Sequence, residues 1–345
     1  MNLFWNVLIN KKMAEKIKLG IIGCSNIAKK SVLPAIQSSK NAEISIIGSR
    51  SIDKSKFYSK LFSCKEFGTY EDVLDSKEID AVYISLPVGL QKEWVSKAAK
   101  LGKHIICEKS ATDSFQSAEE IISVCKENGV RLMEGFMFRF HPQQKKVQDI
   151  INQHQLGNLF SFHGEYGFPM PLDNDIRLNH KLGGGVLNDA GCYPVCASRI
   201  LFGDEPLQAS CHLFENEKYS VDLKFNGVLT YSNNRIASMH VGYDMYFQST
   251  YSLWGEKGKL HLSRAYNVPP KNKTLITLET NQTSQIEIDA NDHFKIMIET
   301  FCSELQGNKI SDYNFEDDLL NQARTMEALR ISHKEQRVVY ISDIT

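Results

Sequence analysis

Six short strand-like runs in the first 136 residues, separated by amphipathic stretches, set the strongest limit on how this chain can fold. The runs are 17–23, 42–48, 65–69, 80–86, 104–107 and 131–135. The stretches between them that read as helices are 26–39, 54–62, 70–75, 90–101 and 114–128. Strands that are apolar along their length need cover on both faces. A helix between successive strands supplies it, so the pattern predicts β-α-β units around a parallel sheet. Asn26 is the expected cap of the first helix, with Pro34 as a kink or restart, and Gly102 and Gly129 close two later helices.

The pattern then changes. Residues 142–153, 290–305 and 315–332 read as helices. Strands are expected at 160–166, 207–215, 219–225, 227–232, 235–243, 249–255, 258–263 and 273–279. Several are joined by tight-turn pairs such as Asn226-Gly227 and Asn233-Asn234, which argues for antiparallel pairing.

Charge and composition narrow the function. A net charge of −1 over 345 residues leaves no basic surface for nucleic acid. No apolar run reaches the roughly 18 residues of a membrane span. Leu3–Ile9 is apolar but lacks the charged start and the cleavage site of a signal peptide, so residues 1–15 read as an extension, with Met13 an alternative start. The eight cysteines form no C-x-x-C pair and read as reduced thiols of a cytoplasmic protein, which leaves the sequons at Asn272 and Asn281 without meaning.

The first run ends in Gly23-Cys24-Ser25-Asn26-Ile27-Ala28. A dinucleotide-binding turn reads G-x-G-x-x-G/A between a strand and a helix. The first glycine and the small last residue are present. Ser25 stands where the middle glycine lets the backbone approach a pyrophosphate. The position supports the reading, because the turn opens a helix whose N–H groups and dipole suit a phosphate. The second strand ends in Gly48-Ser49-Arg50, with Lys54 near and no acid to bond a ribose 2′-hydroxyl. Arg beside a 2′-phosphate favours NADP(H), with NAD(H) the alternative. The plain readings are an ordinary strand-to-helix turn and a solvated arginine.

Three further stretches carry a family resemblance: Lys-His-Ile-Ile-Cys-Glu-Lys-Ser at 103–110, Glu-Gly-Phe-Met-Phe-Arg-Phe-His-Pro at 134–142, and Gly-Gly-Gly-Val-Leu-Asn-Asp-Ala-Gly-Cys-Tyr-Pro-Val at 183–195. With the Gly23–Ala28 turn, in this order and spacing, the chain from about residue 16 resembles the Gfo/Idh/MocA oxidoreductases. The resemblance implies an α/β fold. Its N-terminal part is a Rossmann-type parallel-sheet domain, residues 16–136. Its C-terminal part is an α+β domain with a large, mostly antiparallel open sheet, residues 137–345, for substrate binding and oligomerisation.

The resemblance also implies roles. In Glu108-Lys109-Ser110 the family usually reads Glu-Lys-Pro, and Lys109 would be the catalytic lysine beside the nicotinamide, with a lowered pKa. Asp189 and Tyr193 are four apart, hence on one helix face. Tyr193 would carry the proton, and Asp189 would orient the substrate or the lysine. Leu86, Pro87, Gln91, Glu108 and Lys109 itself would join the cofactor set, although Leu86-Pro87-Val88-Gly89-Leu90-Gln91 loses the Asn and His that many members have. Arg139 would meet a substrate phosphate.

The activity implied is NADP(H)-dependent hydride transfer at a sugar carbonyl or carbinol carbon, as in a keto-sugar or nucleotide-sugar reductase. The alternatives are a dehydrogenase of a free sugar or trans-dihydrodiol and, in another class, a non-catalytic NAD(P) sensor. His141, His163 and His180 lack metal-ligand spacing, so no metal is expected, and the aromatic run 136–140 reads as core and pocket wall. The open sheet face is expected to pair copies of the chain into a homodimer or homotetramer.

Overall fold

The computed structural model describes residues 15–308 and 314–345, so the expectations for the extension and the start lie almost wholly outside it. The first part runs β1 (Ile17–Ile22), α1 (Leu33–Ser38), β2 (Ala42–Gly48), α2 (Ile52–Leu61), β3 (Glu66–Gly68), α3 (Tyr70–Asp75), β4 (Ala81–Ile84), α4 (Val88–Lys100), β5 (His104–Cys107), α5 (Phe115–Glu127) and β6 (Leu132–Glu134). Its strands are parallel in the order β3-β2-β1-β4-β5-β6. The central strands are apolar because both faces are covered: Leu19, Ile21, Tyr83, Ile84 and Ile106 are fully buried. The strand order reverses between β1 and β4. There the crossover helices diverge and leave a crevice beyond the C-terminal strand ends, which is where such sheets hold ligands.

Ser25 rather than Asn26 caps the first helix, its Oγ accepting from Ala28 N at 3.0 Å. A π turn at Ala28–Val32 precedes α1, which restarts at Leu33 next to Pro34, a residue with no N–H to give.

The second part runs α6 (Pro142–Asn152), β7 (Leu159–Phe168), α7 (Cys192–Phe202), β8 (Gln208–Asn216), β9 (Val221–Thr230), β10 (Ile236–Tyr243), β11 (Gln248–Gly255), β12 (Gly258–Leu262), β13 (Thr274–Glu279), β14 (Thr283–Ile288), α8 (His293–Leu305), α9 (Phe315–Glu335) and β15 (Val339–Tyr340). Its sheet has the order β14-β13-β12-β11-β7-β10-β9-β8-β15, antiparallel except where β7 meets β10. The Asn226-Gly227 pair does not turn. It lies inside β9, between β8 and β10, and a ladder on both sides outweighs the turn preference of one dipeptide. Asn233 and Asn234 do turn, both left-handed. The edge strand β14, half exposed and short of large apolar residues, escaped the pattern reading.

After β14 the chain returns to the first sheet. Glu299 on α8 accepts from Lys40 N (2.9 Å), and Glu316 on α9 accepts from Arg131 Nε (2.9 Å) and Leu132 N (2.9 Å). His141 caps α6, Nδ1 accepting from Gln143 N, and packs edge-on against His293 on α8, 5.8 Å between ring centres. Burial pushes His141 down to about 4 and His293 down to about 3. Each is held below its unfolded value of about 6.5. Their contribution to stability is therefore full above that pH and is lost as pH falls through 4 toward 3. We expect urea unfolding free energy to decline by a few kcal/mol over that window. The decline should be shallower in His293→Phe; equal slopes in the two proteins would refute the assignment.

Candidate active site

The crevice at the β1–β4 switch is built from a tight turn. Gly23 has φ +109°, and a Cβ there would lie 2.5 Å from Ser85 O. Ser25 does not block the approach of a phosphate, because its hydroxyl is turned back into the helix cap and against Ser85 Oγ at 2.5 Å. Cys24 points inward, with Gly48 O 3.8 Å from its thiol, and burial raises that thiol to about 11. Asn26 and Ile27 are exposed beside it, and Ala28 is buried. At the tip of β2 Ser49 is buried, while Arg50 and Lys54 face solvent. Tyr70 packs beside Arg50: burial raises its pKa and the arginine partly offsets this.

The Gly183–Gly185 loop of the second part leans on the start of α4, where Cβ atoms at Gly89 and Gly183 would crowd the facing backbone at 3.1 and 3.0 Å. The close approach carries Asp189 over the end of β5, onto Lys109. Lys109 Nζ donates to Asp189 O (2.6 Å) and Oδ1 (3.3 Å), and lies 5.1 Å over the Tyr193 ring. The other carboxylate oxygen, Oδ2, accepts from Arg177 Nε (2.8 Å) and from the Tyr243 hydroxyl (3.1 Å). Arg177 is in turn forked onto Asp175.

Lys109, Asp189 and Tyr193 thus come together. The Asp189–Gly191 stretch belongs to a π turn that runs into α7, rather than to one continuous α-helical face. Burial works to lower the Lys109 pKa, but Asp189, with Cys192 and Glu108, outweighs it. The ammonium is held above the ordinary lysine value, opposite to the lowering expected. Burial works to raise Asp189, but Lys109 and Arg177 keep it below the usual carboxylate range. Tyr193 is raised well above an ordinary phenol by burial, and its hydroxyl meets Met137 Sδ at 3.6 Å. Tyr166, against the Tyr193 ring, is pushed up to about 12 by burial, with Asp189 and Lys109 acting on it in opposite directions.

Other expected site residues are spent elsewhere. Gln91 is fully buried: Nε2 donates to Leu86 O (2.9 Å), and Oε1 accepts from the Cys107 thiol (3.2 Å), so it braces the Leu86-Pro87 bend rather than facing the crevice. The buried Glu108 carboxylate accepts from the Tyr83 hydroxyl, and burial raises it. Arg139 pairs with Asp318 on α9, in a buried network with Arg199. No group of three or more His, Cys, Asp or Glu able to hold a metal occurs among the described residues. Arg177, Tyr243 and Gly89 were missed. They lie 12, 54 and 100 residues from Asp189, and only the packing of the two parts brings them near it.

A Rossmann-type sheet, a glycine turn at its switch point and a Lys–Asp–Tyr cluster completed by an open-faced second sheet define a class of two-part nicotinamide-type oxidoreductases. The chain belongs to the Gfo/Idh/MocA oxidoreductase family. Residues 17–136 match its NAD-binding Rossmann-fold model, and residues 144–261 match its C-terminal domain model. It is 30% identical to a dTDP-3,4-didehydro-2,6-dideoxy-alpha-D-glucose 3-reductase of Actinomadura kijaniata, over 94% of this chain and 98% of the relative. It is 31% identical to D-xylose 1-dehydrogenase (NADP(+)) 2 of Haloferax volcanii, over 90% and 95% of the two chains. The crystal structure of KijD10, a 3-ketoreductase from Actinomadura kijaniata with NADP and TDP-benzene, superposes with a TM-score of 0.88 at 29% identity, covering 92% of this chain and 98% of that one.

Removing the Asp189 charge leaves burial as the dominant influence on Lys109. In Asp189→Asn the pH at which Lys109 becomes half-reactive toward an acylating reagent, read by peptide mass spectrometry, should fall by a unit or more, on the order of a buried ion pair's effect. An unchanged midpoint would show that Asp189 does not control the lysine.

Proposed function

We propose that this protein is an NADP(H)-dependent reductase of a keto-sugar carried as a nucleotide sugar. The observation that carries the reading is the Lys109 ammonium, held by Asp189 against the Tyr193 ring at the C-terminal edge of the parallel sheet. Both Lys109 and Tyr193 keep their protons at neutral pH, by charge pairing in one case and burial in the other. Two loaded donors suit a carbonyl oxygen that gains negative charge. The similarity to a sugar 3-reductase across nearly the whole chain supports the same direction.

The turn fits a dinucleotide, since Gly23 leaves no room for a side chain and Ser25 turns its hydroxyl away. Gly23–Ala28 would hold the pyrophosphate, and Ser49, Arg50 and Lys54 the ribose end. Leu86 and Pro87 would wall the crevice. NADP(H), when bound there, supplies the hydride. Lys109 and Tyr193 give the proton and stabilise the oxygen, while Asp189 orients Lys109. The xylose dehydrogenase relative favours a second reading, oxidation of a free sugar with NADP⁺ by the same residues run in reverse.

Self-association belongs to the proposal. The outer face of the second sheet presents His163 against Ser238 and an exposed Trp254, and would pair isologously with a second copy. The free cysteines, all buried but the half-buried Cys211, fit a cytoplasmic setting. No helix of the described residues is long and apolar enough to cross a membrane.

Fluorescence titration should show tighter binding of NADPH than NADH, with the preference lost in Arg50→Ala; equal affinities would overturn the cofactor assignment. Lys109→Ala should lose about 10²–10⁴-fold in turnover of a dTDP-linked keto-sugar while NADPH affinity holds. Unchanged turnover would remove Lys109 from the chemistry. Light scattering at micromolar concentration should give a dimer or tetramer, and a clean monomer would refute the pairing.

A further inference from the structure

With Arg139 spent on Asp318, the cation expected for a substrate phosphate must come from elsewhere. At the mouth of the site Arg177 is committed to Asp175 and Asp189. Arg264 is different. It is half-buried, its Nε donates to Asn267 O (3.1 Å), and its guanidinium lies 4.6 Å over the Phe247 ring. Among the described residues neither of its terminal nitrogens has a hydrogen-bond or ion-pair partner. A guanidinium partly withdrawn from water, with an unfilled planar fork, is built to receive a bidentate oxyanion.

Its place is fixed by the fold. Gln143 Nε2, fully buried on α6, donates to Arg264 O (3.0 Å) and Ala265 O (3.2 Å), and Ala265 N donates to Ser249 O on β11. Two residues on, Tyr266 packs on Tyr193 and Tyr166. Phe247 immediately precedes Gln248, which pairs with Gly167, and in the same turn Met245 N donates to Phe168 O (3.2 Å). Phe168 packs on Tyr243, whose hydroxyl bonds Asp189. Two routes thus lead from the site to Arg264: Tyr266, two residues along the chain, lies against Tyr193, and the turn that carries Phe247 is bonded to Phe168. Beside it the turn at Asp244 leaves Tyr246 86% exposed.

We propose that Arg264, backed by Phe247, binds the diphosphate of a nucleoside-diphosphate sugar, and so makes this site select a nucleotide-linked keto-sugar over a free sugar. The proposal rests on the reductase reading and deepens it. The diphosphate and the reacting carbon are joined through a single sugar ring. Arg264 and the Lys109–Tyr193 pair are likewise joined through Tyr266, two residues from Arg264 and packed on the Tyr193 ring, so both ends of one substrate can be met together. The neighbouring Tyr246 offers a face on which a base can stack.

The test is calorimetric titration of the wild type, Arg264→Met and Arg264→Lys with dTDP, thymidine, inorganic pyrophosphate and NADPH. The wild type should bind dTDP and pyrophosphate. Arg264→Met should weaken both by about tenfold or more, the loss of a charge-assisted pair. Arg264→Lys should recover part of the affinity, and NADPH and thymidine should bind the variants as they bind the wild type. Undiminished dTDP binding in Arg264→Met would overturn the proposal. Parallel loss of NADPH would overturn it too, by assigning Arg264 to the cofactor or to the fold. A wild type that binds NADPH but not dTDP would refute the nucleotide handle and leave the oxidoreductase intact. A wild type that binds neither would refute both readings.

Discussion

The Asp189 carboxylate is the joint on which the site depends. One oxygen and the backbone carbonyl hold Lys109 from the first sheet; the other oxygen holds Arg177 and Tyr243 from the second part. A largely buried carboxylate is costly unless every lone pair is used, and here two cations and a phenol use them. The same contacts fix the height of the Gly183–Gly185 loop over α4. Glycine at position 89 permits this, because a side chain there would strike the loop backbone.

This joint also sets the protonation of the site. Burial works to lower the Lys109 pKa, and charge pairing more than offsets it. Tyr193 keeps its proton for the opposite reason, since burial disfavours the phenolate and its hydroxyl meets Met137 Sδ. The two donors reach the same state by different physics. Arg177 limits the effect of Asp189 on the lysine by sharing its charge, and so acts on a group it does not touch.

Much of this was legible in the chain. The alternation of strands and helices is a local pattern, set by side-chain periodicity, and it placed every strand of the parallel sheet. The turn at Gly23 was legible because a left-handed backbone against Ser85 needs glycine. Lys109, Asp189 and Tyr193 were legible only through a family resemblance; nothing in their spacing says that they meet. Asn226-Gly227 misled, because a two-residue signal cannot report the ladders that later form on both sides of it. Arg139 misled for a related reason. An arginine in an aromatic run looks free to meet a ligand until α9, some 180 residues later, brings Asp318 to it.

The sequence by itself determined the two architectures and the glycine turn at the end of β1. These depend on residue type and on interactions a few positions apart. The tertiary structure alone decided which charged groups are paired and which are free. It consumed Arg139, Glu108 and Gln91, recruited Arg177 and Tyr243, left the Arg264 fork open and reversed the expected shift of Lys109. The physical reason is range. Backbone preference acts over a few residues, whereas the energy of a buried charge depends on every group that packing brings within a few ångströms, however far apart they are in the chain.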